Sequence, residues 1–156
     1  MKIIFERPAL PLFKSHPRWY NTHNRNFADK EAFPMKKSVL RSYARLIART
    51  GVNIQKGQEV FIAADLDQPE FVAMLVDECY KCKAKKVVVD WNYQPLQKLH
   101  VRHRSLTTLS RVEDYELARW QHYVDTIPCR IYLLSEDPDG LKGIDQTKLA
   151  KSQQAK

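Results

Sequence analysis

Three groups of residues carry side chains suited to chemistry: a cysteine pair, a histidine pair and a set of carboxylates at expected strand ends. Cys79-Tyr80-Lys81-Cys82 forms a CxxC. A redox CxxC places its reactive cysteine at a helix N-terminus, where the dipole stabilises the thiolate. Periodicity here puts both cysteines at the C-terminal end of a helix, where the dipole opposes a thiolate. The nearby Lys81, Lys83, Lys85 and Lys86 are long and solvated. A zinc site needs a second ligand pair, which Cys129 and scattered histidines do not supply at a typical spacing. Cys79 is therefore expected in the core, with Cys82 as its surface neighbour. His100 and His103 stand at i and i+3 and can face one ion, but Arg102 and Arg104 would repel a cation and no carboxylate accompanies them. His122, between Trp120 and Tyr123, reads as part of a packing face. No GxSxG supports a serine nucleophile.

Phosphate chemistry is also disfavoured. Only four glycines exist, at 51, 57, 140 and 143, and they form neither GxGxxG nor a P-loop. The loops Asp65-Leu66-Asp67 and Asn92-Tyr93-Gln94-Pro95 contain none, so backbone N–H groups lack the close approach that a phosphate cradle needs. Position is the remaining guide. Ligands of open α/β sheets lie beyond the carboxyl ends of the strands. That rule marks Asp65, Asp67, Asp90, Trp91 and Asn92 as candidates for lining a crevice. Aspartates there also cap helices, and a tryptophan there can simply cover a sheet edge. No catalytic or metal-ligating residue is assigned.

The elements that position these residues alternate helix and strand. Ser38 is expected to cap a helix carrying Val39, Leu40, Tyr43, Ala44, Leu46 and Ile47 along one stripe, closed by Gly51. Glu59 to Ala64 is a short apolar run of strand length. Pro69 suits the first turn of a second helix, which presents Phe71, Val72, Leu75, Val76 and Cys79. Lys86 to Trp91 is β-branched without alternation, the habit of strands buried on both faces of a parallel sheet. Pro95 to about Arg104 reads as a third helix, and Ser110 with Glu113 as a capping box opening a fourth. Ile131 to Leu134 is another strand, followed by a loop and a helix from about Asp145. The pattern predicts an open, mostly parallel α/β sheet flanked by helices.

Residues 1–34 read differently. They hold Pro8, Pro11, Pro17 and Pro34, half of the eight prolines, and aromatics without a period, so no long regular element is expected. They read as an irregular N-terminal extension or a mis-assigned start, with the domain proper beginning at Met35. The last helix carries no stop signal, so the chain is expected to be truncated.

Composition bounds the function classes. With 156 residues, 44% hydrophobic and 28% charged, the chain suits one ordinary globular domain. No apolar run reaches the ~20 residues of a membrane span, and Glu6, Arg7 and Pro8 interrupt anything like a signal peptide. Three cysteines without an export signal suit a reducing compartment, so a cytoplasmic location is expected. The net charge is +8, yet it is spread along the chain, +3 over residues 1–34 and +5 over the rest. A nucleic-acid footprint clusters on one face, so neither nucleic acid nor membrane is expected as a partner. A basic nucleic-acid binder acting through Lys98 to Arg111 is kept as a third reading.

Several stretches together resemble the N-terminal domain of the thermophilic-metalloprotease family of aminopeptidases, the aminopeptidase T type. They are Leu40 to Leu46, Gly51 to Gln58, Ala84 to Trp91, Glu136 to Leu141 and Lys148 to Ala150. The resemblance runs from Met35 onward. It implies a metal-dependent hydrolase that removes N-terminal residues from peptides, using two divalent ions of zinc, cobalt, manganese or magnesium type, and working as a homodimer. In that family the metal ligands lie in a C-terminal domain, so residues 35–156 would be the N-terminal α/β domain, truncated before the metal-binding domain and inactive alone. The alternative is a stand-alone non-catalytic interaction module or a gene remnant of that enzyme. Lys83 departs from the family, where a glycine is usual before Ala84-Lys85-Lys86, and it implies either a strained helix exit or a re-routed turn.

Overall fold

The computed structural model describes residues 2–6, 35–135 and 137–154. The three expected strands and one that was not expected, β1, form a four-stranded sheet in the order β1-β4-β2-β3. Strand β2 (Glu59–Asp65) lies in the middle, parallel to β3 (Lys86–Asn92) on one side and to β4 (Cys129–Leu134) on the other. Register pairs Ala63 with both Asp90 and Tyr132. Residues Lys2–Glu6 form β1, which pairs antiparallel with β4. The sequence reading placed them in the irregular extension. Their run Lys-Ile-Ile-Phe-Glu has the composition and length of an edge strand, and Pro8 lies just beyond it. The other residues of that extension, 7–34, lie outside the described residues.

Strand alternation sorts the sheet into two faces. Val60, Ile62 and Ala64 of β2 and Cys129, Ile131 and Leu133 of β4 enter one core cluster with Ala44, Ile47, Phe71, Val72, Leu75 and Cys79. Helices α1 (Lys37–Leu46) and α2 (Pro69–Lys81) therefore cover this face. The two helices also meet through stacked rings of Tyr43 and Phe71, 6.0 Å between centroids. Pro69 sits in the first turn of α2, where its missing N–H is harmless.

Local details depart from the sequence reading. Ser38 lies inside α1, whose cap position is Lys36 with no side-chain bond. Gly51 closes a wide π-type turn, Ile47–Gly51, in which Val52 N–H reaches Ile47 C=O at 2.9 Å. The segment after α3 (Gln94–His103) breaks into a one-turn helix, α4 (Leu106–Ser110), and a longer one, α5 (Asp114–Thr126). Ser105 caps α4, accepting from Thr108 N–H. The capping box of α5 is Glu113 with Glu116, so Ser110 ends one helix rather than opening the next. The last helix is α6 (Gln146–Gln154).

Lys83 leaves α2 at φ +65°, in the left-handed region, and its N–H bonds Tyr80 C=O at 2.8 Å. A side chain there costs about 1–2 kcal/mol that a glycine avoids. Of the two alternatives at this position, the strained exit is the one present.

Glu78 has no exposed surface although α2 was expected to bury only apolar residues. Lys81 Nζ donates to one of its oxygens at 2.9 Å and Arg45 Nε to the other at 3.4 Å. The hydrogen bond from Lys81, more than any other cause, holds the Glu78 carboxyl below its ordinary range. A carboxylate with a lowered folded pKa stabilises the fold above its unfolded pKa, and that contribution disappears as pH falls through the folded value. Glu78→Gln is therefore expected to be less stable than the parent at neutral pH. The gap should shrink below about pH 4, as read from urea midpoints at each pH. A gap that stays constant with pH would contradict this.

Candidate functional site

Following β2, the chain moves to β3 on one side and later returns to β4 on the other. The strand order reverses at β2, so its carboxyl end and that of β4 form a switch point, where crevices of such sheets open. An open crevice of about 310 Å³ lies there, walled by Asp65, Leu66, Asp67, Asn92, Tyr93, Gln94, Pro95, Ser135 and Asp137.

Asp65 organises this crevice. One carboxylate oxygen accepts from Ser135 N–H at 2.6 Å and Ser135 Oγ at 3.2 Å, and the other from Asn92 Nδ2 at 3.0 Å. The ends of β2, β3 and β4 are thus joined through one carboxylate. Ser135 Oγ also lies 2.7 Å from Asp67 Oδ1, to which it donates. On the far wall, the Gln94 side-chain amide pairs in both directions with the Asp137 backbone. It donates to the carbonyl at 2.9 Å and accepts from the N–H at 3.1 Å. Gly140 leaves room for this clamp, since a Cβ at that position would overlap the Gln94 amide.

Of the five residues singled out from sequence, Asp65, Asp67 and Asn92 stand in the walls, whereas Asp90 and Trp91 do not. Neighbouring strand residues face opposite sides of a sheet, so five positions from two strand ends cannot share one crevice. Trp91 falls on the opposite side from Asn92. Asp90 shares Asn92's side but sits two residues earlier, where Arg119 Nη1 of α5 holds its carboxylate at 2.6 Å. Ser135, Gln94 and Asp137 were missed. The strand-end rule applied to β4 would have found Ser135, but the pairing of Gln94 with Asp137 crosses 43 residues of sequence and leaves no local signal.

The sheet's second face is covered by α5, held mainly by polar and aromatic groups. His122 Nε2 lies 2.9 Å from Glu59 Oε2, and the Tyr123 ring packs on Phe61 at 5.1 Å. The bond to His122 is the leading cause that lowers the Glu59 pKa. By contrast Leu117, Trp120 and Val124, along another side of α5, and Ile127 just after it are exposed.

The other candidate groups stay dispersed. Cys79 is buried, and burial pushes its thiol up to about 12, far from a reactive thiolate. His100 and His103 are exposed on α3. Among the described residues, no three His, Cys, Asp or Glu side chains are grouped closely enough to hold a metal ion. The described residues therefore do not fit a metal pair. Among the described residues, no helix is long and apolar enough to cross a membrane.

Fold and crevice together define a doubly wound α/β domain with a ligand-sized opening at its switch point. The chain belongs to the thermophilic metalloprotease family (M29), whose model matches residues 36–156. It is 33% identical over 116 residues to aminopeptidase AmpS of Bacillus subtilis, covering 74% of this chain and 28% of that protein. It is 28% identical over 117 residues to aminopeptidase PepS of Streptococcus thermophilus, covering 75% and 28%. The chain thus spans less than a third of the length of these relatives. The solved structure of wild-type AmpT from Thermus thermophilus superposes with a TM-score of 0.68 at 24% identity, over 76% of this chain and 30% of that one. That likeness establishes the fold.

Proposed function

We propose that residues 35–156 supply the N-terminal α/β domain of a metal-dependent aminopeptidase that removes N-terminal residues from peptides, and that the two divalent ions and the residues acting with them lie outside this chain. The family match over residues 36–156 carries this reading, and the relatives' names as aminopeptidases support it. In the same reading the enzyme is a cytoplasmic homodimer, and Asp65, Asp67 and Asn92 line the approach to its active site. The family domain begins at residue 35 in this reading, and Lys2–Glu6 add an edge strand to its sheet.

The chemistry assigned to this domain is positional. Asp65 fixes three strand ends, and the Gln94 amide fixes the 137–140 turn, so the crevice keeps its shape without supplying a nucleophile, base or metal ligand. The 156-residue chain is therefore expected to give no turnover of leucyl-p-nitroanilide with zinc, cobalt or manganese present, and no stoichiometric metal binding by calorimetry. Turnover that depends on added metal and is abolished by a chelator would overturn the reading.

A second reading, a non-catalytic interaction module, draws on the exposed residues Leu117, Trp120 and Val124 of α5, because apolar surface patches mark interaction sites.

A further inference from the structure

Positive charge that is spread along the sequence collects in space between α3 and α6. An opening of about 280 Å³ lies there, lined by Val101 and Arg102 of α3 and by Gly143, Ile144, Asp145 and Lys148 around the start of α6. Arg102 and Lys148, distant in sequence, thus stand in the walls of one cleft. Each belongs to a basic row. Lys98 precedes Arg102 by one turn on α3, and Lys151 follows Lys148 by one turn on α6. Helix α6 also packs on α4, which holds it beside the Lys98 to Arg111 segment. No acidic residue occurs between Asp90 and Glu113. The one carboxylate at the cleft, Asp145, serves the α6 backbone, where its Oδ1 accepts from Lys148 N–H at 2.9 Å. Elsewhere Lys37, Arg45, Lys81, Lys85, Arg111 and Arg119 each face a carboxylate. Among the described residues, Lys98, Arg102, Lys148 and Lys151 form no ion pair. Four like charges without counter-charges repel one another, and a polyanion relieves that repulsion.

We infer that this cleft binds single-stranded nucleic acid through its phosphate backbone, with Lys98, Arg102, Lys148 and Lys151 as the phosphate contacts. Two cationic rows on either side of an opening can track a backbone, as in proteins that hold single strands without sequence preference. Such binding also needs faces for the bases. Leu96 and Leu99 are exposed one turn apart on α3, and Tyr93 is exposed just before its first turn. The tyrosine ring can stack on any base and the leucines give apolar contact, so little sequence preference is expected. A strand can enter the cleft and meet both walls, whereas a flat bilayer meets only its rim. The expectation drawn from the linear charge distribution, that nucleic acid is not a partner, is reversed because α6 brings a second basic row to the first.

The test is fluorescence anisotropy of a labelled oligouridylate with the 156-residue chain, at about 50 and about 200 mM salt. Four phosphate contacts to a single strand predict a slope of about −3 for the log association constant against log salt. Affinity should therefore fall about fiftyfold between the two salts. Arg102→Ala and Lys148→Ala should each weaken binding about eightfold at the lower salt, and together about sixtyfold, with a slope near −1.4. Neither side chain belongs to the core, and circular dichroism checks that the variants fold. If Lys148→Ala does not fold, Lys151→Ala replaces it with the same expected loss. Lys37→Ala, on α1, should bind like the parent. Absence of saturable binding at the lower salt would overturn the inference. So would binding that the double substitution leaves unchanged, since the attraction would then belong to overall charge. Sedimentation with phosphatidylserine vesicles in place of oligonucleotide binding would assign the cleft to a membrane surface and overturn it as well. Catalysis plays no part in these measurements, so their outcome is separate from the aminopeptidase reading.

Discussion

Leu75→Ala is expected to destabilise the chain by about 3–4 kcal/mol, the largest effect of any single substitution considered. Leu75 is fully buried on α2 within the cluster that joins α1 and α2 to β2 and β4. Truncation removes the transfer free energy of its methyl and methylene groups and leaves a cavity that the surrounding sheet cannot close. A marginally stable domain has roughly 5–15 kcal/mol in total, so this change consumes a large share. Leu117, half-exposed on α5, provides the contrast, and Leu117→Ala should fall within about 0.5 kcal/mol of the parent. Urea denaturation of the two variants measures the difference. Equal effects would mean that α2 does not cover the sheet as described.

Asp65→Ala is expected to cost about 2–4 kcal/mol, an unusual amount for a half-buried polar residue at a strand end. The substitution removes a charged acceptor from three donors and leaves Ser135 N–H without its 2.6 Å partner. The ends of β2, β3 and β4 then separate, and the 137–145 segment should be cleaved faster by trypsin at Lys142. Asp65→Asn is the informative companion. Its Oδ1 keeps both bonds from Ser135, while its amide meets that of Asn92, whose side chain can turn its oxygen inward and accept. The asparagine variant is therefore expected to recover most of the loss. If alanine and asparagine behave alike, the carboxylate is not what joins the strand ends.

The sheet was largely legible in the sequence because apolar runs of strand length are hard to satisfy in any other way. Glu59 to Ala64 and Lys86 to Trp91 became β2 and β3 within one or two residues. Helix ends were less legible, because a serine with an acid three residues later is a common coincidence. At Ser110 the helix before it had not yet ended, and Glu113 took the cap instead. Glu78 was invisible because periodicity reads a glutamate as solvent-facing. Only the meeting of Lys81 with Arg45, 33 residues from Glu78 in sequence, allows that carboxylate inside. The crevice was legible as a place and not as a list. The strand-end rule pointed to it. The alternation of side chains removes Trp91, and Asp90, on Asn92's side, lies two residues too early and is held by Arg119 instead.

The most direct test of the central claim is a chimera in which the 116 residues of Bacillus subtilis AmpS that align with this chain are replaced by their counterparts here. The chimera's hydrolysis of leucyl-p-nitroanilide is then measured after metal repletion. If this chain is the α/β domain of such an enzyme, the chimera should fold, bind metal like the parent and retain turnover within about tenfold, a loss of roughly 1.4 kcal/mol in barrier. A chimera that folds and binds metal yet shows no turnover would contradict the account.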